Sequence, residues 1–533
     1  MAERSFDVVI VGYGPTAQVL ALALGRQGRS VAVVERWENR YPLPRAVHID
    51  HEIYRILAAC GLEADLASNC HPGGRYQWFN AQWQELMAID QTATPVSGGY
   101  GSYFVNQPVL EDIIDAAVAV HPNVELFLGY DAQTIAHDGT SASVVARRTA
   151  DGTHHTFTGD FLVGCDGANS LVAREIGTRI EDLGFQEHWL VVDVELQEGA
   201  TATSLGLPEI GQYCDPVRPT TIVPGGIRNG RILRRWEFMK LPGETIEELE
   251  SEARVWELLS PWVKPDAVTL VRHKTYNFRS LLALEWREGR VLLAGDAAHL
   301  TPPFLGQGLC SGVRDAWALA WRLGLLLDGK ADLDLLASYT PERLPHVRRL
   351  IEMAIYLGKV ICISDPEEAA RRDMAFASGT QPPFPDFPSL DDGLFHRDAN
   401  GAMQQGAGLL APHVSIANRN GTGRMDDLIG TGPLLVIDGT RSTGSGRSLS
   451  AVADRWQAAG GKALVLGNNG DAGQATDLDG RMADFMARHQ WLAMVVRPDF
   501  HVFGGARDDV DAASLVALAS RALTAGEMAA VQG

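Results

Sequence analysis

The stretch FDVVIVGYGPTA, residues 6–17, decides the fold. Its first six residues form an apolar, β-branched run of the kind that makes a buried strand. Gly12 and Gly14 interrupt it, and TAQVLALALGRQG then reads as a helix ending near Gly28. A second apolar run, 30–34, ends at Glu35. This is a β-α-β unit, so the sheet is at least partly parallel. Gly12, Gly14 and Ala17 fit G-x-G-x-x-G/A, with Pro15 and Thr16 opening the helix. The first glycine allows a tight turn, the second admits a pyrophosphate to the backbone, and the small third residue lets helix and strand pack. The helix start offers oriented N–H groups to phosphate oxygens. Glu35, followed by Arg36, stands where a carboxylate receives ribose hydroxyls. The motif predicts an adenine dinucleotide and leaves NAD and FAD open.

Two later stretches bear on that choice. Asp166 opens DGANS after the apolar run DFLVGC, and Asp296 lies in LAGDAAHLTPPFLGQG, residues 293–308. Both carboxylates follow apolar runs, at strand ends where α/β folds bind ligands. One NAD needs only the first unit, whereas FAD adds a ribityl chain and a ring that need further partners. Asp296 is therefore expected to accept ribityl hydroxyls, with Pro302 and Pro303 as a rigid wall beside the ring. The backbone of 305–309, with Gly306, Gly308 and Leu309, is expected to meet the flavin at a helix N-terminus, which favours the negative charge of reduced flavin. The alternative is that Asp296 caps the helix of an ordinary βα connection.

A chain of 533 residues exceeds one compact core. Its net charge of -20, from 46 basic and 66 acidic residues, argues against nucleic acid as a partner. The cysteines, at 60, 70, 165, 214, 310 and 362, form no C-x-x-C pair, so neither a disulfide framework nor a zinc or other metal site is expected. MAERSFDVVIVG lacks the features of a signal peptide, and no window reaches the roughly 18 apolar residues of a membrane span. A cytoplasmic protein with no membrane partner is expected.

Residues 183–267 change texture: WLVVDVEL and RILRRWEFMKL alternate as antiparallel strands do. RVLLA, 290–294, returns to the first fold. A long helix is expected over 308–327, with Ala316, Leu319, Ala320, Leu323 and Leu326 on its apolar stripe and Arg314, Asp315 and Arg322 off it. A charged, surface-facing helix is expected over 340–373. Beyond a loop-like stretch lie strand candidates at 434–438, 462–467, 492–498 and 501–504, with helices at 447–459, 480–489 and 511–524. The domains are read as 1–182 with 268–375, an insertion at 183–267, a linker at 376–408 and a small α/β domain at 409–533.

GYGPTA, CDGANSLVAR (165–174) and LLAGDAAHLTPPFLGQGLCSGVRDA (292–316) together resemble the flavin-dependent aromatic hydroxylases typified by p-hydroxybenzoate hydroxylase. PRAVHIDHE (44–52), NQPVLE (106–111), QYCDPVRP (212–219) and RRWEFMKLPGE (234–244) bring the likeness closer to the 3-(3-hydroxyphenyl)propionate hydroxylases. The resemblance implies an α/β architecture: a Rossmann-like FAD-binding domain, an inserted antiparallel-sheet substrate domain and a thioredoxin-like C-terminal domain. It implies FAD as cofactor, NADH or NADPH as transient reductant, and a phenolic substrate hydroxylated with O2 through a C4a-hydroperoxyflavin. Glu35 would bind the adenosine ribose, Arg45 and Gln107 the phosphate or ribityl region, Asp166 both cofactors, and Arg235 the isoalloxazine surroundings. Two residues depart from the family pattern: Ala173 separates Val172 from Arg174, and His48 stands where glycine is common. The C-terminal unit has no cysteine after Cys362, which excludes disulfide chemistry there.

No side chain need act as a nucleophile, because the flavin carries the hard steps. Candidates for the substrate pocket are His48, which titrates near neutrality, Tyr213 and Asp215, and Arg218 and Arg235 as bidentate partners of a carboxylate. Each could equally be a packed or ion-paired residue. His299, Cys310, Trp317 and Trp321 read as packing. A small aromatic substrate and O2 are the expected partners, and a homodimer is left open. The rivals are a hydroxylase of a polyketide on the same fold, a flavin oxidase, and a flavoprotein without catalytic activity.

Overall fold

Strand Glu3–Val11 pairs in parallel with Val31–Glu35 on one side and His154–Gly164 on the other. Val124–Leu128 extends the sheet in parallel beyond the second strand, and Val291–Leu293 beyond the third. Val8, Val9, Ile10 and Val31–Val33 are completely buried, which is why they read as unbroken apolar runs. The computed structural model describes residues 3–40, 43, 45–441, 447–467 and 474–524. They fall into two compact units: Met1–Pro95, Gly99–Ala316 and Val347–Phe387 form one, and Val96–Gly98, Trp317–His346 and Pro388–Gly533 the other.

The first unit also holds an eight-stranded sheet. Its centre is antiparallel: Val268–Ala283, Ile180–Leu196, Arg231–Met239, Thr220–Arg228 and Ile210–Cys214, side by side in that order. Two strands absent from the sequence reading, Arg75–Asn80 and Glu85–Asp90, complete it at the edge. The period of two divides its faces. Leu190, Val192, Val194, Trp236 and Phe238 pack with Leu249, Val255 and Leu259 of two short helices. Trp189, Met239, Cys214 and Trp78 pack on the other side with Phe304 and Leu305.

The second unit is built on seven strands, with Leu434–Asp438 parallel to Lys462–Leu466 and antiparallel to Ala493–Val496. Leu435 and Ile437 point into a cluster with Trp456 and Val516, and Leu434 and Val436 into one with Met482 and Trp491. Three further strands there, Ser415–Asn418, Gly421–Arg424 and Gln474–Asp477, lie outside the runs singled out in the sequence. The expected domain 409–533 includes residues 442–446, 468–473 and 525–533, which lie outside the described residues.

Several helix expectations need correction. The stretch 340–373 is two helices, Tyr339–Ile361 and Pro366–Ala377, because Asp365 caps the second through the N–H groups of Glu367 and Glu368, with Pro366 at its first position. It is not surface-facing: Val347, Leu350, Ile351, Ala354 and Leu357 are completely buried. Arg314, Asp315 and Arg322, expected off the apolar stripe of the helix Gln307–Leu327, are also buried, at 6%, 0% and 0% exposure. Each has a polar or charged partner that offsets its desolvation: Asp50 and Glu52 for Arg314, His299 for Asp315, Glu342 for Arg322. Arg322 pairs with Glu342, which Arg497 grips with both terminal nitrogens at 2.7 and 2.9 Å, all within the second unit. In the stretch read as a linker, Leu390, Phe395 and Ala407 are buried together. Among the described residues, all six cysteines are free, and no helix is long and apolar enough to cross a membrane.

Candidate functional site

Parallel register brings the three acidic turns to one edge. Val11 lies level with Val34 and Gly164, and Gly164 with Leu293. The chain therefore leaves the sheet at Gly12, Glu35, Cys165-Asp166 and Gly295-Asp296 on the same side, the carboxyl ends of the strands. Gly12 has φ +97, and a Cβ there would overlap the Cys165 carbonyl, so the first two motifs touch through backbone. Gly295 has φ +63, and its Cβ would sit 2.6 Å from Thr16 Oγ1, so the third motif rests on the first turn of the helix Pro15–Arg26. That helix starts at Gly14 with no side-chain cap, leaving its leading N–H groups for a ligand. Glu35 accepts from Tyr13 N at 2.8 Å and Trp37 N at 2.9 Å, which fixes its carboxylate beside the glycine turn.

The three carboxylates differ in what they do locally. Asp166 is spent on its own turn: it accepts from Ser170 Oγ at 2.6 Å and from Leu171 N and Val172 N at 2.6 and 3.2 Å. Asp296 is exposed, and its carboxylate accepts no hydrogen bond among the described residues. Crowding by protein raises its pKa, while His299 and Arg45 pull it down. It lines a cavity of about 190 Å³ with Asn169, Ser170, Arg174 and His299. The turn carrying it is fixed by Asp315, which accepts from Gly295 N at 3.0 Å and meets His299 Nε2 at 2.7 Å. Asp315 is the residue the helical stripe reading set aside.

The glycine loop after the prolines ends a short turn, Pro303–Leu305, with Gly306 at φ +65. A Cβ on Gly306 would come within 2.6 Å of His48 Nδ1, so the imidazole packs against the loop backbone. His48 Nδ1 lies 3.3 Å from Gly306 O, and burial pushes the pKa of the ring down against the pull of Asp50. Arg314 binds the loop to the strand His48–Asp50 and the helix His51–Leu57. It donates to Asp50, to Glu52 Oε2 at 2.6 Å and to Gln307 Oε1 at 2.9 Å, and Gln307 donates to Asp50 Oδ2 at 3.1 Å. Burial alone would raise the Asp50 pKa, but Arg314 holds it well below the usual range. Gly308 and Leu309 lie in the first turn of the helix that follows, and Cys310 packs there, 3.4 Å from Gly306 O.

The residues expected around the ring are divided. Gln107 acts on backbone: its Oε1 accepts from Ala46 N at 2.6 Å and its Nε2 donates to Glu111 at 2.6 Å, so it holds the segment that carries Arg45. Pro44 of the same motif lies outside the described residues. Arg235 donates Nε and Nη2 to Asp193 at 2.7 and 3.1 Å and Nη1 to Arg45 O at 2.7 Å. Arg36 lies over the exposed Trp37 ring, 5.2 Å from its centroid. Tyr213, Asp215 and Arg218 are not brought to the loop. Tyr213 OH donates to Ala81 O at 3.1 Å and its ring stacks on Trp83, Asp215 accepts from Val217 N, and Arg218 is bidentate to Glu244 at 2.6 and 2.9 Å.

Glu237 was missed by the sequence reading although RRWEF was quoted for its arginine. It follows Arg235 by two residues on the sheet face that covers Phe304 and Leu305. In the same row Thr221 donates to Gln212 at 2.7 Å, Gln212 Nε2 bonds Tyr76 OH, and Tyr76 OH donates to Phe304 O at 3.3 Å. Strict alternation along Arg234–Met239 was the signal that could have placed it.

An uncapped helix start and an open carboxylate on one parallel-sheet edge, with a left-handed glycine turn further on, are the features of a nucleotide-binding α/β protein. The family described as FAD binding domain matches residues 5–354, and the chain belongs to it. The HcaD C-terminal domain matches residues 406–521. A probable NADH-specific resorcinol 4-hydroxylase of Rhodococcus jostii (strain RHA1) is 35% identical over 96% of this chain and 94% of that relative. A 3-(3-hydroxy-phenyl)propionate/3-hydroxycinnamic acid hydroxylase of Comamonas testosteroni is 32% identical over 80% of this chain and 72% of its own length. The crystal structure of the flavin-dependent monooxygenase PieE with FAD and substrate matches the fold with a TM-score of 0.79 at 21% identity, covering 98% of this chain and 99% of that one. The chain is an FAD-dependent monooxygenase of the aromatic hydroxylase kind.

Proposed function

We propose that this hydroxylase acts on a monocyclic phenol of the resorcinol type, with NADH as reductant. The observation that carries the reading is that both cations expected to receive a substrate carboxylate are engaged, Arg235 on Asp193 and Arg45 O and Arg218 on Glu244. The wall over the 303–305 turn then presents aromatic rings, Trp78 and Trp189, and hydroxyl-sized polar partners, Gln212 and Tyr76. The name of the Rhodococcus relative supports both resorcinol and NADH.

In this reading Gly12, Gly14, Pro15, Thr16 and Ala17 receive the pyrophosphate, Glu35 and Arg36 the adenosine, and Asp296 with Arg45 the ribityl chain. Pro303, Gly306, Gly308 and Leu309 form the wall and floor under the ring. Asp166 acts through its turn, Gln107 through the segment carrying Arg45, and His48 by backing the loop. When bound, FAD supplies hydride acceptance from NADH and activation of O2. The protein orients the phenol over the loop and keeps water from it. We assign FAD to a discontinuous Rossmann-like domain, 1–182 and 268–375, the phenol to the inserted sheet domain, 183–267, and a thioredoxin-like fold to 409–533 after the stretch 376–408.

The test is NADH oxidation by the holoenzyme with resorcinol and with 3-(3-hydroxyphenyl)propionate, corrected for H2O2, with 18O2 as the oxygen source. Resorcinol-stimulated turnover with one labelled oxygen in the product is expected. A preference for the propionate overturns the assignment of an uncharged phenol, and an unlabelled product overturns hydroxylation.

A further inference from the structure

We propose that Glu237 is a catalytic residue: its carboxylate receives the proton of the phenolic hydroxyl as the ring is hydroxylated. The inference rests on the phenol reading above and adds the group that acts on the substrate.

Three observations carry it. Glu237 is 7% exposed, yet no hydrogen bond among the described residues reaches its carboxylate, and its ion pair with Arg235 Nη1 is long, at 3.7 Å. Its side chain keeps 10% exposure, so on an otherwise buried sheet face the carboxylate stays open to a ligand's hydroxyl. Its position is the second observation. Along one strand face Arg235 reaches the carbonyl of Arg45, and Met239 packs in the cluster of Phe304 and Leu305. Glu237 lies between them, so it faces the space between the 45–48 segment and the loop assigned to the flavin. The third is a complementary donor. Arg272 Nη2 is buried without a partner among the described residues, while Nε and Nη1 of the same side chain are held by Asp193 and Tyr276. A hydroxyl group, which both donates and accepts, suits an acceptor and a donor left open in one wall.

The charged and titratable groups around Glu237 are Arg235 on its own strand, Asp193 and Arg272 on the two strands beyond, and Tyr76 across the sheet. Burial raises the Glu237 pKa against the pull of Arg235 and Arg272, with Asp193 adding to the rise, which makes the carboxylate a stronger proton acceptor than a free one. In the step itself the phenol O–H bond breaks and its electron pair stays on the phenolic oxygen, enriching the ring. The proton passes to a Glu237 oxygen and leaves for solvent after the product departs. No electron leaves the phenol in this transfer, so no further oxidant is required.

The experiment uses holoenzyme with Glu237→Gln and Glu237→Asp. NADH consumption, H2O2 and product are measured with resorcinol and with the more acidic 4-nitrophenol across pH. The Gln variant is expected to keep FAD and phenol-stimulated NADH oxidation while coupled hydroxylation of resorcinol falls about 10²-fold, the lower end for a lost general base. The deficit should shrink as pH approaches ionisation of the phenol, and be smaller for 4-nitrophenol. Asp should restore part of it. Wild-type coupling in the Gln variant overturns the proposal, as does a deficit equal for both phenols at every pH. If the Gln variant loses FAD, the comparison of phenols in the Asp variant decides by the same criterion. Failure of the unmodified protein to hydroxylate either phenol overturns the function reading with it, which separates the two failures.

Discussion

Replacing Arg314 by Met should destabilise the fold around the flavin loop more than almost any other single change in the first unit. Arg314 is 6% exposed and serves Asp50, Glu52 and Gln307 at once. Methionine fills much of the volume but leaves two buried carboxylates without their cation. Removing one partner of a buried ion pair costs about 3–5 kcal/mol, a large share of the roughly 5–15 kcal/mol that keeps a domain folded. The sign of the pH dependence sharpens the test. In the native protein the Asp50 pKa is held below its unfolded value, so its stabilisation is full above the unfolded pKa of about 3.9 and is lost as pH falls through the folded one. Without Arg314, burial should outweigh the remaining donors, Glu52 N, Ile53 N and Gln307 Nε2, and raise the Asp50 pKa above the unfolded value. The variant should then gain stability as pH drops from 7 toward 4, where the wild type gains none from this group. Thermal unfolding of the FAD-free protein at a series of pH values reads both effects. The triple variant Asp50→Asn/Glu52→Gln/Arg314→Met should recover most of the loss. A pH profile parallel to wild type, or a triple variant no better than the single one, would refute the reasoning.

Asp296→Ala should leave thermal stability of the FAD-free protein nearly unchanged, because the carboxylate holds nothing in the fold, while FAD binding measured by flavin fluorescence weakens by at least tenfold. Gly12→Ala should fail to bind FAD and lower the melting temperature, since φ +97 disfavours alanine and its Cβ meets the Cys165 carbonyl; retained stoichiometric FAD would count against the tight first turn. Asp315→Asn keeps one acceptor for Gly295 N but weakens the hold on His299, so FAD affinity should fall several-fold with Asp296 intact, as equilibrium dialysis would report. Arg497→Met should destabilise the second unit by about 3 kcal/mol, the low end for a broken buried pair because Glu342 keeps Arg322 and Asp499 keeps Trp321 Nε1, leaving flavin fluorescence of the holoenzyme unaltered.

What could be read in advance was set by local physics. FDVVIV and LLVID read as strands because buried parallel strands show unbroken apolar runs, and Gly12 and Gly306 read as turns because only glycine takes those backbone angles without strain. Asp166 and Asp296 are the same residue type after similar strands, and their sequences do not separate a carboxylate that caps its own turn from one left open. That difference depends on whether a serine and a free N–H lie within reach. Arg235 likewise could be assigned to a ligand or to a partner from its sequence, and only the register of two strands sets Asp193 directly opposite it. The strands Arg75–Asn80 and Glu85–Asp90 escaped notice because their burial is irregular at a sheet edge.

The helix Gln307–Leu327 explains why amphipathic reasoning failed where function is densest. A helix with one apolar stripe exposes its remaining positions to water, so charged residues off the stripe read as solvent-facing. This helix is buried nearly all round, and a charge on it must be paired or the fold pays its full desolvation. Arg314 and Asp315 answer that demand with partners in the strand His48–Asp50, the helix His51–Leu57 and the Gly295–His299 turn. Because both follow Gly308 closely along the helix, the pairs that make the helix tolerable in the core also fix the glycine loop and the acidic turn, the two elements proposed to flank the flavin. Replacing these charges by neutral residues of similar volume should keep the core stable, but it would release the two turns proposed to hold the cofactor. Stability and FAD affinity should therefore separate in the Asp50/Glu52/Arg314 triple variant: the first recovers, the second does not.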